Sequence, residues 1–403
     1  MKILHTSDWH IGKQLYTKKR YDEFSQFLDW MAETVKSQKI DILLISGDIF
    51  DTTTPSNRAG ELYYNFLHKV ANDSSCRHIV ITAGNHDSPS FLEAPKEILK
   101  FLNIHIVANI DDIESEVLKL SVNDEEVIIC AVPYLRDRDL RESVLGESIE
   151  DKEQKLIYAI SKHYQSVAEY AKDLQRNNEP IIAMGHMFVR GDSSKIGDGV
   201  RELYVGSLAH VGVDIFDECF DYVALGHLHI PQKVGGKENI RYSGSPLAMG
   251  FGEAKQQKSV VILDFNDKME ITKLDIPKFQ HLKQIKGDLN KIEKQLKELK
   301  ELGQSTWVEV EYNGKEVVGN LSAIIDDIIK DSKIEILRIK SKTYKHKTLK
   351  QTKANESLEE LDVYEVFDKC LEYYDVEDTQ KDGLKALYKE VVTNIQEDDK
   401  RAE

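Results

Sequence analysis

A chain of 403 residues with 41% hydrophobic content exceeds the usual size of one domain and can build two or three cored units, which excludes a disordered protein. Its four cysteines, Cys76, Cys130, Cys219 and Cys370, lie far apart without CxxC spacing, so neither a thiolate zinc site nor a disulfide framework is expected, and a reducing cytoplasm fits best. The opening MKILHTSDWH is polar and charged and no apolar run approaches bilayer length, so no export signal and no membrane span are expected; the net charge of −16 is unfavourable for nucleic-acid binding by overall charge.

Up to about residue 265 the chain alternates short β-rich runs with amphipathic runs, the pattern of a layered α/β domain. Met1 to Thr6 is predicted as a strand. Tyr21, Phe24, Leu28, Met31 and Val35 then recur at steps of three and four, predicting a helix over 19–38 with one buried face. Asp41 to Ser46 (DILLIS) is the near-continuous apolar run of a strand buried on both faces, and His78 to Thr82, Val127 to Val132, Ile181 to Met184 and Tyr222 to Leu225 share that character. Between them, 59–70 and 91–102 have helical spacing. Ile240 to Tyr242, Ser259 to Leu263 and Met269 to Leu274 follow one another without helices, which predicts antiparallel closure of a sheet.

Pro277 marks a boundary. Residues 278–341 predict a small βαβαβ unit: a strand near Leu282 to Ile285, a helix carrying Leu289, Ile292, Leu296 and Leu299, the strand Trp307 to Tyr312, a helix Leu321 to Ile329 and a strand Ile334 to Ile339. Lysine-rich 342–357 is expected to be a linker. Over 358–397 two amphipathic helices follow, with stripes from Leu358 to Tyr374 and from Leu384 to Ile395, too small to bury themselves and therefore suited to docking.

Five short motifs sit where apolar strands end. Asp8-Trp9-His10 puts a carboxylate and an imidazole two residues apart, able to reach one metal. In Gly47-Asp48-Ile49-Phe50-Asp51, glycine relaxes the turn that lifts Asp48 out of the sheet, and its two oxygens can bridge two cations. Gly84-Asn85-His86-Asp87, Gly185-His186 and Gly226-His227-Leu228-His229 complete the set. Singly, each motif fits a capped turn equally well. Together they match the rule that ligands bind outside the carboxyl ends of strands, and mixed nitrogen and oxygen donors without thiolate suit manganese, iron or zinc better than calcium.

The ordered series DxH, GDxxD, GNHD, GH, GHxH resembles the calcineurin-like metallophosphoesterases, and the flanking HTSDWHIGK, ISGDIFD, TAGNHDS, ALGHLHIPQ and YSGSP narrow the likeness to their bacterial DNA-nuclease subunits. The resemblance spans essentially the whole chain. It implies an α/β/β/α metallophosphoesterase core over 1–277, a capping domain over 278–341, and C-terminal helices that bind an SbcC-type coiled-coil ATPase. By the same resemblance Asp8, His10, Asp48 and His229 hold one divalent metal ion and Asp48, Asn85, His186 and His227 the other, both most often Mn2+. His86, unligated, is then expected to bind the scissile phosphate and protonate the departing oxygen, with Asp51 or Asp87 fixing its tautomer; turn capping is the competing role for both carboxylates.

The expected activity is ATP-dependent double-strand exonuclease and single-strand or hairpin endonuclease action in DNA repair, recombination and replication, by a homodimer within a heterotetramer. Dimer helices are sought at 59–70 (Leu62, Tyr63, Phe66, Leu67) and 91–102 (Leu92, Ile98, Leu99, Leu102). Lys18, Lys19, Arg20, Arg58, Arg190 and Lys195 are candidates to line a DNA groove, and Trp9 is expected to pack beneath the site. A phosphoprotein phosphatase or cyclic-nucleotide phosphodiesterase is the alternative; Thr52 in place of an arginine and GNHD rather than GNHE weigh against it. A non-catalytic binding module fits least, since all seven ligand positions hold competent side chains.

Overall fold

The computed structural model describes residues 1–140, 148–190, 211–266, 268–314, 318, 320–341, a few positions between 364 and 371, and 378–397. Two six-stranded sheets stack face to face. The first has the order Met269–Asp275, Ser259–Phe265, Lys2–Thr6, Ile42–Ser46, His78–Thr82, Ile104–Val107, the last four parallel and the first two antiparallel at one edge. The second has the order Gln232–Val234, Lys237–Tyr242, Tyr222–Gly226, Ile181–His186, Glu125–Ala131, Val117–Val122.

The continuous apolar runs have a two-sided cause. Along Ile42–Ser46, Leu43 and Ile45 face a core shared with the helices Tyr21–Ser37 and Asn57–Asp73, while Ile42 and Leu44 face the opposite sheet. The helix Ile149–Leu174, capped by Ser148, covers the outer face of the second sheet with Ile160, Tyr164, Val167 and Ala171. The layers are therefore α/β/β/α, as expected.

Three local expectations change. Lys237–Tyr242 runs parallel, not antiparallel, to Tyr222–Gly226: the chain first makes the edge strand Gln232–Val234 and returns through Gly235 and Gly236, whose φ of +57° and +69° build a two-residue hairpin turn. The segment 91–102 is not one helix. It breaks into Pro89–Glu93, Lys96–Leu99 and a 3-10 turn Lys100–Leu102, because Pro95 has no N–H to donate. In Asn57–Asp73, Leu62, Tyr63, Phe66 and Leu67 are all buried in the first core, so this stripe is an ordinary core face and not a dimer surface. Ile98 and Phe101, by contrast, are 72% and 90% exposed.

His281–Gly287, Thr306–Tyr312 and Ile334–Ser341 form a separate parallel sheet, crossed by the helices Leu289–Leu302 and Leu321–Ile329 around a core of Ile285, Ile292, Leu296, Val308, Val310 and Ile325. It touches the larger unit at the hairpin after the first motif: Tyr16 donates to Glu309 at 2.9 Å and stacks on Phe251, and Lys18 pairs with Glu335. The predicted linker and most of the first C-terminal helix lie outside the described residues. The second spans Asp378–Glu397, with Tyr388 stacked on Phe367 at 3.9 Å. Among the described residues no helix is long and apolar enough to cross a membrane.

Candidate metal centre

Parallel strands deliver their carboxyl ends to one edge, and both sheets do so at the same place. The loops after Lys2–Thr6 and Ile42–Ser46 are zipped together by Asp8 N–H to Gly47 O (3.0 Å), His10 N–H to Asp48 O (2.9 Å) and Ile11 N–H to Ile49 O (2.9 Å). Asp8, His10, Asp48 and His227 all take positive φ, at 54°, 49°, 52° and 105°. Non-glycine residues are held in such conformations only where the surroundings over-determine them, typically at sites that do chemistry. The sheets approach so closely that a Cβ on Gly226 would lie 1.9 Å from Ser46 O, and one on Gly84 would lie 2.2 Å from Asp48 Oδ1.

The donor atoms point at each other. His10 Nε2 lies 3.2 Å from His229 Nε2 and 3.4 Å from Asp48 Oδ2. His186 gives its Nδ1 proton to Ser46 O (3.0 Å), which turns its Nε2 toward Asn85 Oδ1 (3.1 Å) and Asp48 Oδ2 (3.4 Å). One oxygen of Asp48 thus stands between the two histidines, while Oδ1 is held by the His86 N–H at 2.9 Å. Asp8, His10 and His229 form one buried group with ligand atoms within 4.8 Å of one another; Asp8, Asp48 and His186, and His10, Asp48 and His86, form two more. His227 edges the His186 ring at 5.6 Å and gives its N–H to Asp8 Oδ1 at 2.8 Å.

Facing lone pairs and buried carboxylates repel unless a cation lies among them, so the residues present fit divalent metal ions. The charges of the protein itself show the same pull. Burial raises the Asp48 carboxyl, but His186, His86 and His10 outweigh it and hold Asp48 well below the usual carboxylate range. Burial and nearby Asp48 raise Asp8 despite His186 and His10. Burial would lower His186, yet Asp48 and Asp8 raise it to about 9, while burial beside His186 pushes His227 well below the usual histidine range.

Around this cluster several roles differ from expectation. His86 Nδ1 bonds the backbone carbonyl of Asp51 at 2.8 Å, so the main chain sets its tautomer rather than either carboxylate. The Asp51 carboxylate instead pairs with Lys13 at 2.9 Å and lies 3.4 Å from His10 Nδ1. Asp87 accepts from the backbone N–H groups of Ile49 (3.1 Å), Phe50 (2.9 Å) and Gly84 (2.9 Å), a buried cap joining two motif loops. Trp9 is wholly buried, bonded to Thr6 Oγ1 and edged by Phe27 and Phe66.

Of the basic residues expected to line a groove, Arg20 is buried and paired with Glu23, Lys18 is tied to Glu335, Arg58 pairs with Glu61 on its own helix, and Lys195 lies outside the described residues. Polar residues without a motif were missed. Ser7 donates to Asp8 Oδ2 at 2.6 Å and is itself 2.8 Å from Ser243, and Glu253 and Lys258 lie buried behind His229. Their one sequence signal is a polar side chain inside or at the end of an otherwise apolar strand or loop.

Residues 1–231 match the calcineurin-like phosphoesterase family, and 278–374 match the type 5 capsule protein repressor C-terminal domain. Over 393 residues, 96% of this chain and 97% of the relative, the sequence is 34% identical to SbcD, the smaller-letter partner in the name of the SbcCD nuclease, from Escherichia coli strain K12. The chain belongs to the SbcD family. The SbcD protein of Bacillus subtilis is also 34% identical, over 279 residues and 68% of each chain. Among solved structures, a dimetal phosphatase from Danio rerio aligns with 69% of this chain and 97% of its own at 12% identity and a TM-score of 0.39. For the SbcD family the motif series is thus placed on the strands that carry it.

Proposed function

We propose that this metal-dependent nuclease hydrolyses DNA phosphodiesters at the strand-end centre, as the nuclease subunit of an assembly with an SbcC-type coiled-coil ATPase. The observation that carries the reading is the convergence of donors from five strand ends on Asp48, in a chain of the SbcD family. Asp8, His10, Asp48 and His229 would hold one metal ion and Asp48, Asn85, His186 and His227 the other. Two bound Mn2+ ions would supply Lewis acidity toward the phosphodiester and lower the pKa of the attacking water.

The protein's own part follows from the geometry. Asp48 sits between the two donor sets, and the zipped loops keep Asp8 and His10 from relaxing. With Nδ1 committed to the Asp51 carbonyl, His86 meets the phosphate through Nε2, which places a proton beside the departing oxygen. Asp51 holds Lys13 against the His10 loop. In the assembly we place double-strand exonuclease and hairpin endonuclease activity under ATP control, the exposed Leu384 and Leu387 of the C-terminal helix against the ATPase, and Ile98 and Phe101 against a second copy of this chain.

Purified protein is incubated with linear duplex and hairpin DNA plus Mn2+, with and without the ATPase and ATP, beside His86→Ala. The reading expects cutting that falls about 10²–10⁴-fold in the variant while metal binding persists. Equal cutting removes His86 from the chemistry. No cutting under any condition sinks the nuclease reading.

A further inference from the structure

Behind His229 lies an ion pair that phosphoester chemistry does not use. Glu253 and Lys258 have side chains only 1% and 6% exposed, with Lys258 Nζ 2.6 Å from Glu253 Oε2. The ammonium also donates to His229 O (2.9 Å), Ser245 Oγ (3.1 Å) and Gln256 Oε1 (3.2 Å). Glu253 Oε2 takes the Met249 N–H at 3.0 Å, and its Oε1 stands 3.8 Å from His229 Nδ1. His229 therefore has one ring nitrogen toward His10 and the metal site and the other toward a buried carboxylate.

Desolvating both charges costs several kcal/mol each, and such pairs are often no better for stability than apolar residues of the same shape. Its placement explains it better. Lys258 directly precedes the strand Ser259–Phe265, which pairs with Lys2–Thr6, whose end carries Asp8 and His10. His229 follows Tyr222–Gly226 in the other sheet. One ammonium thus ties the loop of one sheet to the ligand-bearing strand edge of the other.

We infer that Glu253 and Lys258 are positioning residues for His229, an inference that rests on the dinuclear reading above. Glu253 favours the tautomer with the proton on Nδ1, which presents the Nε2 lone pair to a metal ion. Lys258 fixes the Glu253 carboxylate and the His229 main chain together, so that ring position and tautomer are set at once.

The test is a Mn2+ titration of the full chain, reading bound ion by electron paramagnetic resonance and equilibrium dialysis. The variants are Glu253→Gln and the charge-free Glu253→Gln/Lys258→Met, which avoids an unpaired buried ammonium; circular dichroism of the metal-free proteins reports their folding. The parent is expected to bind two Mn2+. Both variants should bind the first with parental affinity and the second about 10–100-fold more weakly. In a His229→Ala background, Glu253→Gln should have no further effect, because its influence passes through that ring. Two Mn2+ bound at parental affinity by the folded variants would overturn the inference and leave the dinuclear reading standing, as would further weakening in the His229→Ala background. A parent that binds fewer than two Mn2+ brings down the reading and the inference together.

Discussion

Asp87 offers a sharp separation between structural and chemical carboxylates. Its two oxygens satisfy three buried N–H groups, from Ile49, Phe50 and Gly84, and it makes them at the junction of the second and third motifs. Replacing it by alanine strands all three donors. Each unsatisfied buried donor costs about 1–3 kcal/mol, so Asp87→Ala should lose about 3–9 kcal/mol of stability, enough to unfold many domains. Asp87→Asn is a gentler change: its carbonyl can take the place of Oδ2 and keep Ile49 and Gly84, but its amide then meets the Phe50 N–H, a single mismatch of about 1–3 kcal/mol. Denaturation by urea in the presence of EDTA measures both without the metal's contribution. An Asp87→Ala variant that loses less than ~1 kcal/mol, or an Asn variant as damaged as the Ala one, would refute the capping argument.

Removing metal should destabilise the parent, since ions bound only by the native state add about 2.7 kcal/mol per site at a hundredfold excess over Kd; an unchanged melting temperature with saturating Mn2+ against EDTA would deny a native-state site. Phe101→Asp should shift the protein to the monomer mass by light scattering if the exposed Ile98 and Phe101 meet a second copy, and an unchanged mass removes that surface from the assembly. His5, wholly buried against Tyr222, is lowered by burial to about 3 despite its bond to Leu225. It stays neutral in the fold while the unfolded chain protonates near 6.5, so its stabilisation is complete above that pH. It declines by ~1.4 kcal/mol per pH unit as pH falls from there toward 3. His5→Asn should flatten the fall in urea stability between pH 6.5 and 4.5, and parallel curves for parent and variant would contradict this.

Most of the site was legible in the chain because its signals are local. An apolar run long enough to be a buried strand, then glycine, then Asp, Asn or His, already says that a donor leaves a sheet at its carboxyl end. Five repetitions say that the donors can meet. The breakdown of 91–102 was legible too, in Pro95, where a missing N–H outweighs helical spacing.

What only the tertiary structure decided is who faces whom across the two sheets. Asp51 and Asp87 looked interchangeable as partners for His86, yet the bond comes from a backbone carbonyl that no side-chain pattern encodes. Arg20 looked like a groove residue beside Lys18 and Lys19, but its helix turns it inward onto Glu23. Glu253 and Lys258 belong to no motif, since they matter only once the strand after Lys258 has paired with Lys2–Thr6 and brought the ammonium to His229. Periodicity reports which face of an element is buried; the neighbour on that face is chosen by strand order, and strand order is not a local property.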